Sequence, residues 1–196
     1  MSFSDGSFDF VLCKEACHHF PRPFVAIYEM LRVARKGIIL IEPKDGNLVI
    51  PQRQSFKSAL FGFIQAAKNS VKRLLNKPVY YNPGNYEEIG NYVYSLSERE
   101  IEKMALGINC DAIAFKTIQD VYIEGGEYEE LRQRGPIFSS MMKELKKMEH
   151  LQRQGKLHSR LLVSAIFKEA PGSACIEAME RDGYTFIRLP KNPYIS

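Results

Sequence analysis

The sequence has no apolar run approaching the roughly 18 residues that a helical membrane span needs, so no such span is expected. It lacks a basic-then-apolar leader. Asp5 and Asp9 stand there instead, and a cytoplasmic location is expected. Its four cysteines are scattered, which suits reduced thiols better than a disulfide framework. There is no internal repeat and no low-complexity tract. Charge of one sign is not in large excess, and a net charge of +4 makes no case for nucleic acid as a partner. No Gly-x-Gly-x-x-Gly follows a strand pattern; Gly84 and Gly125-Gly126 are isolated turn glycines. What remains is ordinary for a soluble globular protein: 196 residues, 45% hydrophobic and 26% charged, enough for one domain with a sizeable core.

Residues 8–13 and 38–42 are short, nearly continuous apolar runs, the pattern of strands buried on both faces of a parallel sheet. Between them Phe24, Ile27, Tyr28, Leu31 and Val33 give a helical face, entered after Pro21 and Pro23 and stopped by Arg35-Lys36-Gly37. Strand, helix, strand with short loops predicts a right-handed parallel crossover. Residues 53–77 form a broad helical apolar stripe with six basic residues and no acidic one, closed by Pro78. Ser97-Glu98-Arg99-Glu100 predicts a capping box, with Leu96 and Ile101 as its hydrophobic staple, on a helix ending near Gly107. Further along, the pattern predicts a strand within 112–123, an amphipathic helix over 137–152 using Met141, Met142, Leu145 and Met148, and a buried strand over 161–167. A short helix and residues 184–189 close the chain as an appendage spanning 171–196.

The order Asp5-Gly6-Ser7-Phe8-Asp9, strand, polar loop with His18-His19, helix, Arg-Val turn and strand resembles a region of the class I S-adenosylmethionine (SAM) dependent methyltransferases of the type 11 group. The matching region of that fold lies after its third strand. The resemblance is strongest over residues 3–43 and continues more weakly to about residue 168. It implies an α/β fold with a Rossmann-like sheet. Residues 8–13, 38–42, 112–123 and 161–168 map onto strands 4, 5, 6 and 7, giving a partial sheet 4-5-7-6 with strand 7 antiparallel. Residues 1–170 would be the C-terminal half of the domain, and 53–96 a lid-like insertion. The family's Gly-rich cofactor loop, the acidic ribose ligand and the Asp near the adenine would all precede Met1, so an N-terminally truncated domain is expected. On this reading SAM is the cofactor, bound weakly or not at all by this chain alone.

The resemblance brings Phe3, Cys13, Lys14 and Glu15 towards the cofactor, the last three as the carboxyl end of strand 4, where open α/β sheets bind ligands. The plainer reading is a strand-end loop without a ligand. His18 and His19 are the candidates for catalysis, because an imidazole titrates near neutrality and suits a base that takes a proton from a methyl acceptor. The plainer reading is that one histidine packs against the following helix. Glu42 ends strand 5 and either orients substrate or is a solvated strand end. Tyr80 and Tyr81, with Tyr86, Tyr92 and Tyr94, either line an acceptor pocket or are ordinary core material. Cys13-x-x-x-Cys17-His18-His19 is not expected to hold a metal. Adjacent histidines rarely reach one ion together, and no second Cys/His pair stands at a suitable spacing.

The expected partner is a small-molecule acceptor bearing a hydroxyl, amine or carbon nucleophile, such as a sugar or lipid-linked sugar. The basic stripe 53–77 is read as a lid, with a packed surface helix and a membrane-surface helix as rivals. The alternative to an enzyme is a non-catalytic interaction module. Strand 8–13 would lack its family neighbour and expose an apolar edge, inviting self-association or a complementary chain, unless residues 184–189 cover it.

Overall fold

The structure is a computed structural model, and it describes residues 2–45, 93–130 and 135–194. The chain divides into two compact units, Met1–Asp45 with Tyr94–Ser196, and Gly46–Val93. Apart from Val93, the described residues all belong to the first. The basic stripe 53–77 and Tyr80, Tyr81, Tyr86 and Tyr92 lie outside the described residues.

The first unit is a five-stranded mixed sheet with helices. Strand β1 (Phe8–Lys14) is followed by a 3-10 turn, Cys17–His19, and helix α1 (Pro23–Val33). Strand β2 (Ala34–Pro43) follows directly, then α2 (Glu98–Gly107), β3 (Ala112–Ile118), α3 (Pro136–Arg153), β4 (Leu161–Phe167), α4 (Ser173–Arg181) and β5 (Thr185–Arg188). The sheet order is β1-β2-β4-β3-β5. β1 and β2 are parallel, and β4 runs antiparallel to both β2 and β3. The expected 4-5-7-6 arrangement is therefore present.

Three particulars differ from the sequence reading. Arg35-Lys36-Gly37 does not stop α1 as a turn. Ala34 is already extended, and these three residues lie inside β2. Gly37 serves a close approach instead: a Cβ there would lie 2.3 Å from the Ile166 carbonyl oxygen on β4. β3 stops at Ile118 rather than near residue 123, because its partner β4 begins at Leu161, opposite Ile118. The C-terminal segment adds β5 to β3, on the rim away from β1, so it does not cover the open edge.

The larger core lies on one face of the sheet. There Ile27, Met30 and Leu31 of α1 and Ile101, Met104 and Ala105 of α2 pack on Ile38, Leu40, Ile113, Leu162 and Ile166. Tyr28 is exposed, and Met30 takes the inward place, since the buried set follows the i, i+3, i+4 spacing from Ile27. The capping box at Ser97 forms with both of its bonds: Glu100 N–H to the Ser97 hydroxyl, and Ser97 N–H to the Glu100 carboxylate. β4, flanked on both sides, is buried along its whole length. α3 is amphipathic as expected, but its apolar residues are half-buried at most. On the opposite face a smaller cluster of Ala112, Ala114, Ala165 and Phe167 packs with Met179, Tyr184 and Phe186. It does not reach all of β1, where Phe8, Phe10 and Leu12 are 41%, 45% and 63% exposed. Among the described residues β1 pairs only with β2.

Candidate functional site

Because β1 and β2 are parallel, their carboxyl ends share one edge, with Cys13 beside Leu40 and Lys14 beside Ile41. β3 ends and β4 begins at that edge too, where Ile118 and Pro43 both pair with Leu161. This is the side on which open α/β sheets place ligands. Three of the four residues expected at the cofactor, Cys13, Lys14 and Glu15, lie there. Phe3 does not. Its ring stands edge-on to Phe8, centroids 5.0 Å apart, and its carbonyl accepts from Arg32 at 3.0 Å. That is the opposite end of β1, roughly 20 Å away by strand rise over six residues.

Chain direction reverses at Glu15, whose φ of 47° is left-handed. A non-glycine residue there costs on the order of 1 kcal/mol, strain of the kind that gathers at functional sites. The Glu15 amide completes the β1–β2 ladder at the Ile41 carbonyl, 2.8 Å away, and its side chain pairs with Lys14. The turn delivers the next residues to Glu42. This carboxylate is only 1% exposed, not a solvated strand end. Its Oε1 accepts from the Ala16 and Cys17 amides at 3.1 and 2.9 Å and from the Cys13 thiol at 3.5 Å. Its Oε2 lies 2.7 Å from His18 Nδ1. A buried carboxylate needs such partners, because an unpaired one would be expelled by its desolvation cost.

His18 is 8% exposed and His19 is exposed, so the two differ in environment, although their rings lie with centroids 4.0 Å apart, tilted by 46°. The segment returning at Tyr94 crosses the same edge. Its amide donates to the His18 carbonyl at 3.1 Å, and its ring meets Phe24 edge-on. Leu96 and Lys44 then form a parallel bridge. Of the expected acceptor-side tyrosines, Tyr94 alone is described, and it stands beside His18.

Cys13 and Cys17 place their sulfurs 3.3 Å apart. Burial pushes both thiols up from their ordinary value, Cys17 far more, and the neighbouring Glu42 charge pushes in the same direction. Neither is a ready thiolate nucleophile. The hub role of Glu42 and the buried Gln119 were not read from sequence. The role of Glu42 as a hub depends on strand pairing across 26 residues of chain, although a Glu ending an otherwise apolar strand was a signal. Gln119, just past β3, is buried and donates to the Gln152 side chain at 2.8 Å and the His158 carbonyl at 3.0 Å, with its own Oε1 unpaired. No local pattern marks it.

Residues 1–41 match the family model of the methyltransferase domain, type 11. No curated protein matches the chain. Among solved structures, a Bacillus halodurans protein assigned as a methyltransferase is 17% identical, with 87% of this chain and 74% of that one covered and a TM-score of 0.38. A Thermotoga maritima SAM-dependent methyltransferase is 16% identical, with 86% and 59% covered and a TM-score of 0.36. A Haloferax volcanii protein assigned as a methyltransferase, in complex with the Trm112 methyltransferase activator, is 10% identical, with 88% and 58% covered and a TM-score of 0.41. The chain thus spans under two thirds of the length of the last two. Among the described residues no helix is long and apolar enough to cross a membrane. The matched segment carries β1, the His18 turn, α1 and most of β2.

Proposed function

We propose that this chain carries the acceptor-side part of a SAM-dependent methyltransferase, in which His18 takes the proton from a hydroxyl, amine or carbon acceptor. The observation that carries this reading is the buried His18–Glu42 pair, 2.7 Å apart, at the carboxyl edge of the parallel strands. A base oriented by a third group is the recurrent arrangement of proton-transfer sites. With the Nδ1 proton donated to Glu42, Nε2 is left as the proton acceptor. SAM, when bound, supplies the electrophilic methyl group.

The described residues fit only one end of that cofactor. Cys13, Lys14 and Glu15 occupy the strand end beside which the family holds the methionine part, whereas these 196 residues encode no Gly-rich strand-to-helix turn. The chain alone therefore binds SAM weakly or not at all, and calorimetry giving micromolar affinity would refute this. Tyr80 and Tyr81 are proposed as acceptor contacts, with a sugar or lipid-linked sugar as the favoured acceptor class. Free thiols at all four cysteines support a cytoplasmic setting.

The test uses the chain joined to a half-domain carrying a Gly-rich loop. His18→Gln should lower turnover by about 10²–10⁴-fold, the usual worth of a general base, whereas His19→Gln changes it little. Equal, negligible effects of both would remove histidine from the mechanism.

A second reading, a non-catalytic module that pairs with another chain, is favoured by one observation. The edge of β1 is bare among the described residues, and the exposed Phe8, Phe10 and Leu12 share its face.

A further inference from the structure

We propose that Cys13, Cys17 and Glu42 form a binding site for a soft divalent cation of the zinc type, with one position left for water or an exogenous ligand. The sequence spacing argued against a metal, because it offered only two cysteines and two adjacent histidines. Strand pairing changes the donor set: β2 brings the Glu42 carboxylate beside the two sulfurs, and neither histidine is needed as a ligand. The three donor atoms lie within 4.8 Å of one another. Zinc–sulfur bonds of about 2.3 Å and zinc–oxygen bonds of about 2.0 Å require tetrahedral edges of about 3.8 Å between sulfurs and about 3.5 Å from sulfur to oxygen. Cys13 Sγ is already 3.5 Å from Glu42 Oε1, and the sulfurs, 3.3 Å apart, need to open by only a fraction of an ångström.

The surroundings are those of a held site. The Ala16 and Cys17 amides and His18 Nδ1 fix the Glu42 carboxylate, as outer partners commonly fix a metal-ligating group. Charge balance favours the exchange. Two thiol protons leave to solvent and one dication takes their place, so the net charge of a buried cluster does not change. Three protein ligands with Cys13 only half-buried leave a reachable fourth position, the arrangement of zinc sites that bind a further ligand rather than closed structural ones. The inference is independent of the proposed proton transfer, since His18 meets Oε2 and the Cys13 thiol meets Oε1.

The test titrates the freshly reduced, metal-free chain with Co²⁺ and Cd²⁺ without oxygen. A sulfur-to-metal charge-transfer band should grow to one metal per chain. Cys13→Ser and Cys17→Ser should each remove most of it, and Cys110→Ser should leave it intact. In the unmutated chain Cd²⁺ should slow alkylation of Cys13 several-fold while the exposed Cys175 reacts as before. The proposal is overturned by a missing band under excess metal, by a band that survives Cys13→Ser, or by equal Cys13 alkylation with and without Cd²⁺. Recovery of Cys13 and Cys17 as a disulfide in the reduced preparation would overturn it too.

Discussion

Replacing Glu42 by alanine removes the one acceptor shared by the Ala16 amide, the Cys17 amide and His18 Nδ1. Two of those donors belong to buried residues and the third to a half-buried one that water can reach. An orphaned buried donor costs about 1–3 kcal/mol, and a hydrogen bond to a charged acceptor is itself worth about 1.5–3 kcal/mol. The three losses are coupled through one side chain, so they do not simply add. About 3–5 kcal/mol in total is expected, against a typical domain stability of about 5–15 kcal/mol. With a urea slope near 2 kcal/mol/M, the unfolding midpoint should fall by about 2 M. Glu42→Gln separates shape from charge. Its amide oxygen still accepts from the two backbone amides, while its NH₂ faces His18 and forces the other imidazole tautomer, for a loss of about 1–2 kcal/mol. An alanine variant displaced by less than about 0.5 M at that slope, or a glutamine variant as unstable as alanine, would show that Glu42 does not organise the turn.

Gly37→Ala puts a methyl group into the Ile166 carbonyl, a backbone atom that no rotamer change can move, and should cost about 3 kcal/mol or more in thermal or urea unfolding. A neutral outcome would mean that β2 and β4 do not approach as described. On the acid side, Arg32 holds the Glu29 carboxyl near 2 and Lys191 holds Asp111 low. Depressed carboxyls contribute stability that is complete above their ordinary range near 4.5 and is lost as pH falls towards 2. Midpoints should therefore drop over that window, and Arg32→Gln should flatten the drop. At the β1 edge, light scattering should show self-association that grows with concentration and is reduced by Leu12→Lys. A monomer at every concentration would leave the edge without a partner to explain.

The crossover from residue 8 to residue 43 was legible because two buried runs and one helical stripe carry the correct periods and sit a short loop apart. The capping box was legible because its two bonds need only residues three apart. Legibility failed where a partner decides. β3 ends opposite the start of β4, β5 chooses a rim by pairing, and Gly37 looks like a helix stop until the Ile166 carbonyl is beside it. The candidate site divides in the same way. His18, Cys13 and Glu42 were each singled out in the sequence, but their meeting around one carboxylate is a product of parallel register. Phe3 was set towards the cofactor on resemblance alone, and it lies before Phe8, at the other end of the strand from Cys13, Lys14 and Glu15.

The proposed proton transfer depends on Glu42 holding His18 with its proton on Nδ1, so that Nε2 is the accepting nitrogen. Long-range ¹H–¹⁵N spectra of the metal-free chain, labelled at imidazole nitrogen and assigned through His18→Gln, read this tautomer directly. Neutral His18 should carry its proton on Nδ1 in the unmutated chain and on Nε2 in Glu42→Gln. A bare Nδ1 in the unmutated chain, or the same tautomer in both proteins, would contradict that role for Glu42.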